Sequence, residues 1–208
     1  MTKSDLRNLL KFLIFLLFIF LVVDGYFSQN VKYRREDYKH WIDGDSDCQN
    51  TRQEVLIAES LVKVELDESG CRVVQGKWYD PYSNQYFTDP KELDIDHFVP
   101  LKEAHRSGAQ NWSAQEKMRY ANDVEDEKTL IAVSRSANRA KGDKDPSDWM
   151  PENKNYHCEY IKNWVLIKQR WQLEMDEKEK DFVTKFSQDC EENLQERLVK
   201  SRGPSLLK

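Results

Sequence analysis

Leu93-Asp94-Ile95-Asp96-His97-Phe98-Val99-Pro100 is answered further along the chain by Leu130-Ile131-Ala132-Val133 and then by Ser136-Ala137-Asn138-Arg139-Ala140-Lys141-Gly142-Asp143. The first run reads as a strand that delivers an acid-histidine pair. The second, Thr129 to Val133, is a short apolar strand leading into a helix for which Ser134 or Ser136 is the cap. A phosphodiester resists hydrolysis because its charge repels nucleophiles and its alkoxide leaves poorly. A hard divalent ion with positions open for substrate and water relieves both problems. Asp96 offers that ion a charged oxygen and Asn138 a neutral one, while His97 can take a proton from the attacking water. Arg139, Lys141 and Lys144 are the cations expected to hold phosphate, with Arg135 a further candidate. Neighbouring strand residues point to opposite faces, so Asp96 and His97 converge only if the strand bends or ends there. Each residue alone has a plainer reading: a structural histidine, a helix-start asparagine, a solvated helix end closed by Gly142. Together they favour a site.

The chain has 208 residues and a formal charge of −5. Lys3 and Arg7 precede an apolar run from Phe12 to Val23, shorter than the roughly 20 residues of a membrane-spanning helix. Its length suits a signal peptide over residues 1–25, with cleavage after Gly25 and an uncleaved N-terminal anchor as the alternative. Without the leader the charge becomes about −6 by side-chain counting. A polyanion would therefore be met by a local basic patch rather than by bulk charge. About 180 residues remain, enough for one domain. Cys48, Cys71, Cys158 and Cys190 show no zinc-ligand spacing, and with an export signal an even count reads as two disulfides.

Asp43, Asp45, Asp47 and Glu54 match the first, third, fifth and twelfth positions of a calcium-binding EF-hand loop, but Cys48 occupies the glycine position. A turn followed by a helix over Arg52 to Val64, opened by a capping box at Thr51 and Glu54, is the simpler reading. Cys71 to Tyr79 reads as a strand and Asp80 to Asn84 as a turn. A helix is expected over Ala114 to Asn122. Cys158 to Leu173 and Glu177 to Leu198 have helical spacing. A turn near Glu174 would lay Cys158 beside Cys190, which leaves Cys48 to Cys71 as the second pair.

Asp96-His97-x-x-Pro100-Leu101-x-Glu103-Ala104, Asn138-Arg139-x-Lys141-Gly142-Asp143-x-Asp145-Pro146 and Trp149-x-Pro151 resemble an HNH endonuclease, in the branch sharing the C-terminal domain of GmrSD restriction endonucleases. Asp47-Cys48, Thr51-Arg52-x-Glu54, Gly76-x-Trp78-x-Asp80-Pro81-Tyr82 and Tyr156-x-Cys158-x-Tyr160 extend the resemblance over nearly all of the mature chain. It implies an α+β fold with a ββα-metal core, His97 as general base, Asp96 and Asn138 as ligands of one divalent cation, and DNA as substrate. Many HNH proteins place an asparagine before the second strand to fix the histidine loop. Thr129 stands there, so Thr129 or Asn122 is the expected orienting residue. An inserted helix after Pro100 accounts for the long spacing from His97 to Asn138. Glu103 reads as a surface carboxylate, with a place beside the metal as its alternative.

These readings give one mainly helical domain over residues 26–202, with a site core at 93–151 and a helical hairpin at 158–198. The expected protein is a secreted or periplasmic, monomeric endonuclease using Mg2+, or Mn2+ in its place. DNA is favoured, RNA is possible, and no stable membrane domain is expected unless the leader stays uncleaved. The rival is a catalytically silent nucleic-acid-binding protein on the same scaffold. A hydrolase using Asp94 and Asp96, which share a strand face, is a third reading.

Overall fold

The computed structural model describes residues 31–201, with side chains to residue 192, and Lys11; the rest of the expected leader lies outside the described residues. Tyr33 to Ser201 form one compact unit. Its elements in chain order are α1 (Thr51–Glu59), β1 (Glu65–Leu66), β2 (Val73–Gln75), β3 (Trp78–Asp80), β4 (Gln85–Phe87), β5 (Leu93–His97), α2 (Leu101–Arg106), α3 (Ala114–Ala121), β6 (Leu130–Ser134), α4 (Arg135–Lys141), α5 (His157–Arg170) and α6 (Glu177–Ser201). The strands pair antiparallel as β1–β2, β3–β4 and β5–β6. The architecture is α+β, and the helices expected between His97 and Asn138 are α2 and α3.

The β5–β6 pair divides the core. Leu93, Ile95, Leu130 and Ala132 pack on one side with Val55, Leu56 and Trp78. Ile131 and Val133 pack on the other with Tyr82, Phe98, Tyr120, Tyr160 and Trp164. Burial of both faces explains why Leu130 to Val133 is continuously apolar rather than alternating. A lone two-stranded pair is ordinarily marginal, because its outer backbone groups have no partner. Here side chains supply them. Glu59 accepts from the Ala132 N–H at 2.8 Å and Asp80 from the Ser134 N–H at 3.1 Å. Arg52 donates to the carbonyls of Pro90 and Leu93, each at 3.0 Å.

Helix α1 differs from expectation at both ends. Asn50, not Thr51, is its cap, accepting from the Gln53 N–H. Thr51 is drawn away, its hydroxyl within 2.9 Å of the Asn122 amide oxygen. The helix stops at Glu59 because Ser60 turns extended and Leu61 donates to the Lys77 carbonyl at 2.7 Å. Leu61 and Val62, which prolonged the helical pattern, are surface residues, 59% and 51% exposed. The strand expected over Cys71 to Tyr79 is two strands, because the chain changes partner at Gly76. A Cβ there would lie 2.5 Å from the Trp78 ring, so only glycine allows the indole to pass.

Ser134 caps α4 by accepting from the Ala137 N–H, and Gly142 closes it at positive φ. Helix α3 opens with a capping box, Ser113 and Glu116. Disulfides join Cys48 to Cys71 and Cys158 to Cys190, the second stapling α5 to α6 as expected. The turn of that hairpin closes over Lys168, whose buried ammonium meets Glu103, Ser107, Glu179 and the Glu174 carbonyl at 2.7–2.9 Å. Glu103 is thus a buried structural carboxylate, not a surface one. Among the described residues no helix is long and apolar enough to cross a membrane.

Candidate functional site

His97 ends β5 on the Leu93–Ile95 face and pairs across the strands with Leu130. Its Nε2 lies 3.0 Å from the Ala121 carbonyl. A carbonyl only accepts, so Nε2 carries the hydrogen and Nδ1 keeps the lone pair. That carbonyl belongs to the last turn of α3, where helix carbonyls lack partners within the helix. Trp41 stacks on the imidazole with centroids 5.5 Å apart and planes 29° apart; Tyr120 stands at 6.4 Å and 31°. Burial pushes the His97 pKa down to about 3. The Ala121 hydrogen bond opposes that shift, while Arg35, His40 and Lys141 add to it. The ring is therefore neutral at physiological pH.

Asp96 takes the opposite face, across from Ile131. Its Oδ2 accepts from the Tyr82 hydroxyl at 2.8 Å and from the Lys141 ammonium at 2.5 Å. Lys141, expected among the phosphate-holding cations, is fully buried and also donates to the His97 carbonyl at 3.0 Å. A lysine at the end of a short helix reads as solvated. This one is drawn inward because a buried carboxylate needs a counter-ion. Burial moves Asp96 up and Lys141 down, each toward its neutral form, and the attraction between them opposes both shifts.

Asn138 meets the other carboxylate of the strand: its Nδ2 donates to Asp94 Oδ2 at 3.2 Å. Arg135 Nε stands 3.6 Å from Asp94 Oδ1. Asp94 and Asp96 share a face with α4, one at the surface and one beneath it. The amide and carboxylate that the fold brings together in reach of solvent are thus Asn138 and Asp94. The amide turns its nitrogen to the carboxylate, so its oxygen would face an ion of the magnesium type only after the amide rotates. Arg139 and Lys144 are exposed on the same helix end, Lys144 donating to the Ala140 carbonyl.

Neither expected orienting residue touches the imidazole. Thr129 accepts from the Phe98 N–H at 2.9 Å, and its hydroxyl donates to Asp123 at 3.0 Å. It thereby fixes the chain just after His97. Asn122 binds the segment that carries Trp41, donating to the Lys39 carbonyl at 2.7 Å and accepting from the Ile42 N–H at 3.2 Å. Ala121 and Trp41 were not anticipated. A backbone carbonyl has no sequence signature, and the run from Tyr33 to Trp41 reads only as polar and aromatic. Asp43, Asp45 and Asp47 do cluster, exposed, with ligand atoms within 4.8 Å of one another.

The family model for GmrSD restriction endonucleases, C-terminal domain, matches residues 50–186. A protein of Arthroderma benhamiae described as an uncharacterized secreted protein is 36% identical over 158 residues, 76% of each chain. No solved structure matches.

Proposed function

This chain belongs to the family of the GmrSD restriction endonuclease C-terminal domain, and from that premise we propose that it is an exported HNH-type endonuclease. It acts as a monomer on DNA rather than RNA, with little sequence preference. The carrying observation is His97. Its Nε2–H is committed to the Ala121 carbonyl, so a neutral Nδ1 is left to accept a proton from water. The antiparallel pair β5–β6, with α4 directly after β6, supports reading this region as a ββα arrangement. Export agrees with the secreted description of the relative and with two disulfides.

Asn138 and Asp94 would hold the divalent ion, magnesium by preference, with Asp96 beneath them tied to Lys141. Bound there, the ion would neutralise the diester and its leaving oxygen. Arg139, Lys144 and Arg135 would position the backbone phosphates. Lys141 acts indirectly in this scheme, by fixing Asp96 and the carbonyl of His97.

Plasmid nicking with Mg2+ or Mn2+, with and without chelator, tests the reading, with a structured RNA as the competing substrate. His97→Ala should abolish cleavage while the thermal melt stays cooperative. Wild-type activity in that variant would remove His97 as the base. The Asp96–Lys141 pair favours one second reading, a nucleic-acid-binding protein that does not cleave. Plasmid left intact under every metal, but retained on DNA, would select it.

A further inference from the structure

We propose that Trp41 is a positioning residue for His97: stacked on the imidazole, it clamps the plane of that ring, and Asn122 latches the strap of residues 33–42 that carries it. The inference rests on the reading of His97 as the base, and it concerns a segment that precedes the family match at residue 50.

One hydrogen bond fixes a ring at one edge and leaves it free to swing about that contact. The Nε2 bond to Ala121 is such a restraint. Trp41 adds the missing one, because its ring is stacked on the imidazole with the planes 29° apart, while Tyr120 stands beside the same ring at 6.4 Å, tilted by 31°. Tyr120 is itself held by its hydroxyl on the Val99 carbonyl.

Trp41 reaches this position at a cost. Its φ is +59°, a left-handed conformation that is strained for a bulky residue. It persists because both flanks are tied down. Asn122 donates to Lys39 O and accepts from Ile42 N, and its oxygen also lies 2.9 Å from the Thr51 hydroxyl. The Ile42 carbonyl accepts from Thr51 N at 2.9 Å. Consecutive residues at the end of α3 therefore set both restraints: Ala121 holds the edge of the imidazole, and Asn122 holds the ring that covers its face. A proton-accepting nitrogen displaced by about 1 Å is enough to lower a rate about 10²-fold.

A plain packing role would be met by any apolar side chain of similar bulk. A clamp needs a flat ring. Trp41→Phe should keep most of kcat in plasmid cleavage, whereas Trp41→Leu should lower kcat about 10²-fold with KM unchanged. Asn122→Ala should reproduce the leucine result, and the double variant should be no worse than either single one. Nitrogen NMR of 15N-histidine-labelled full-length protein gives a readout independent of turnover. The wild-type His97 signal should be a sharp Nε2–H tautomer, and Trp41→Leu should broaden or average it while the melt is retained. Equal kcat in the phenylalanine and leucine variants, additive effects of Trp41 and Asn122, or an unchanged His97 signal in Trp41→Leu would each overturn the clamp. If wild-type protein cleaves neither DNA nor RNA, the nuclease reading fails, and the NMR comparison alone decides the clamp.

Discussion

Among the described residues two lysines are fully enclosed, Lys141 and Lys168, and they are buried differently. Lys168, inside the turn of the α5–α6 hairpin, faces the carboxylates of Glu103 and Glu179, the Ser107 hydroxyl and the Glu174 carbonyl. Lys141, at the end of α4, faces one carboxylate, Asp96, and one carbonyl, that of His97, with its ammonium 5.9 Å from the Tyr82 ring centre. The first is a closed structural knot, and its acids respond unequally. Glu179 is raised by burial despite its partner. Burial also pushes Glu103 upward, but Lys168 with the bonds from Ser107 and Arg106 outweighs it and holds that carboxyl low. The second ties β5 to α4, the helix bearing Asn138, through one carboxylate and one carbonyl.

Removing each ammonium tests that contrast. Lys168→Met strands two buried carboxylates and should cost about 3–5 kcal/mol in urea unfolding. A loss below about 1 kcal/mol would mean that the turn opens to water and the knot is not closed. Lys141→Met strands one carboxylate, which burial already pushes toward the protonated form, so its cost should fall near the lower end of that range, about 3 kcal/mol. Adding Asp96→Asn should recover part of it, since no charge is then left alone. A larger loss for Lys141 than for Lys168 would reverse the ranking.

The smallest effect belongs to Glu59, a partly buried carboxyl raised by burial from 4.5 to about 7. Between those values the folded state holds a proton that the unfolded state has released, so stability falls as pH rises. The Glu59 contribution is complete below about 4.5 and lost as pH passes about 7. Glu59→Gln should flatten this part of the profile and keep an acceptor for the Ala132 N–H. An unchanged slope between pH 5 and 8 would show that water already reaches the group.

The sequence carries the skeleton of the site well. The β5 and β6 runs, a serine cap at Ser134 or Ser136, the inserted helices and both cysteine pairs are legible because local pattern or chain geometry points to them. Lys141 is not legible, since its burial depends on Asp96, distant in the chain, and a lysine beside a glycine at a helix end reads as solvated. Asn138 was matched to Asp96 because that acid adjoins the histidine. The two acids share a face, but Asp96 is buried against Lys141 and Tyr82 while Asp94 lies nearer the surface, and the amide meets Asp94 there. Trp41 is missed for a third reason. Its position is set by a strained backbone angle and a distant asparagine, neither of which leaves a periodic signal. The end of α1 was overrun because Leu61 and Val62 keep the helical rhythm yet lie on the surface.

The side chains that line the rim of the β5–β6 pair have a consequence beyond folding. An uncovered strand rim is a template on which another molecule can add its own strand. Arg52, Glu59 and Asp80 occupy positions that such an intruder would need. Two of them sit on α1. Local fraying of that single short helix would therefore turn an internal hairpin into a seed for intermolecular β-structure, making α1 the guard of the protein's colloidal behaviour as well as part of its core.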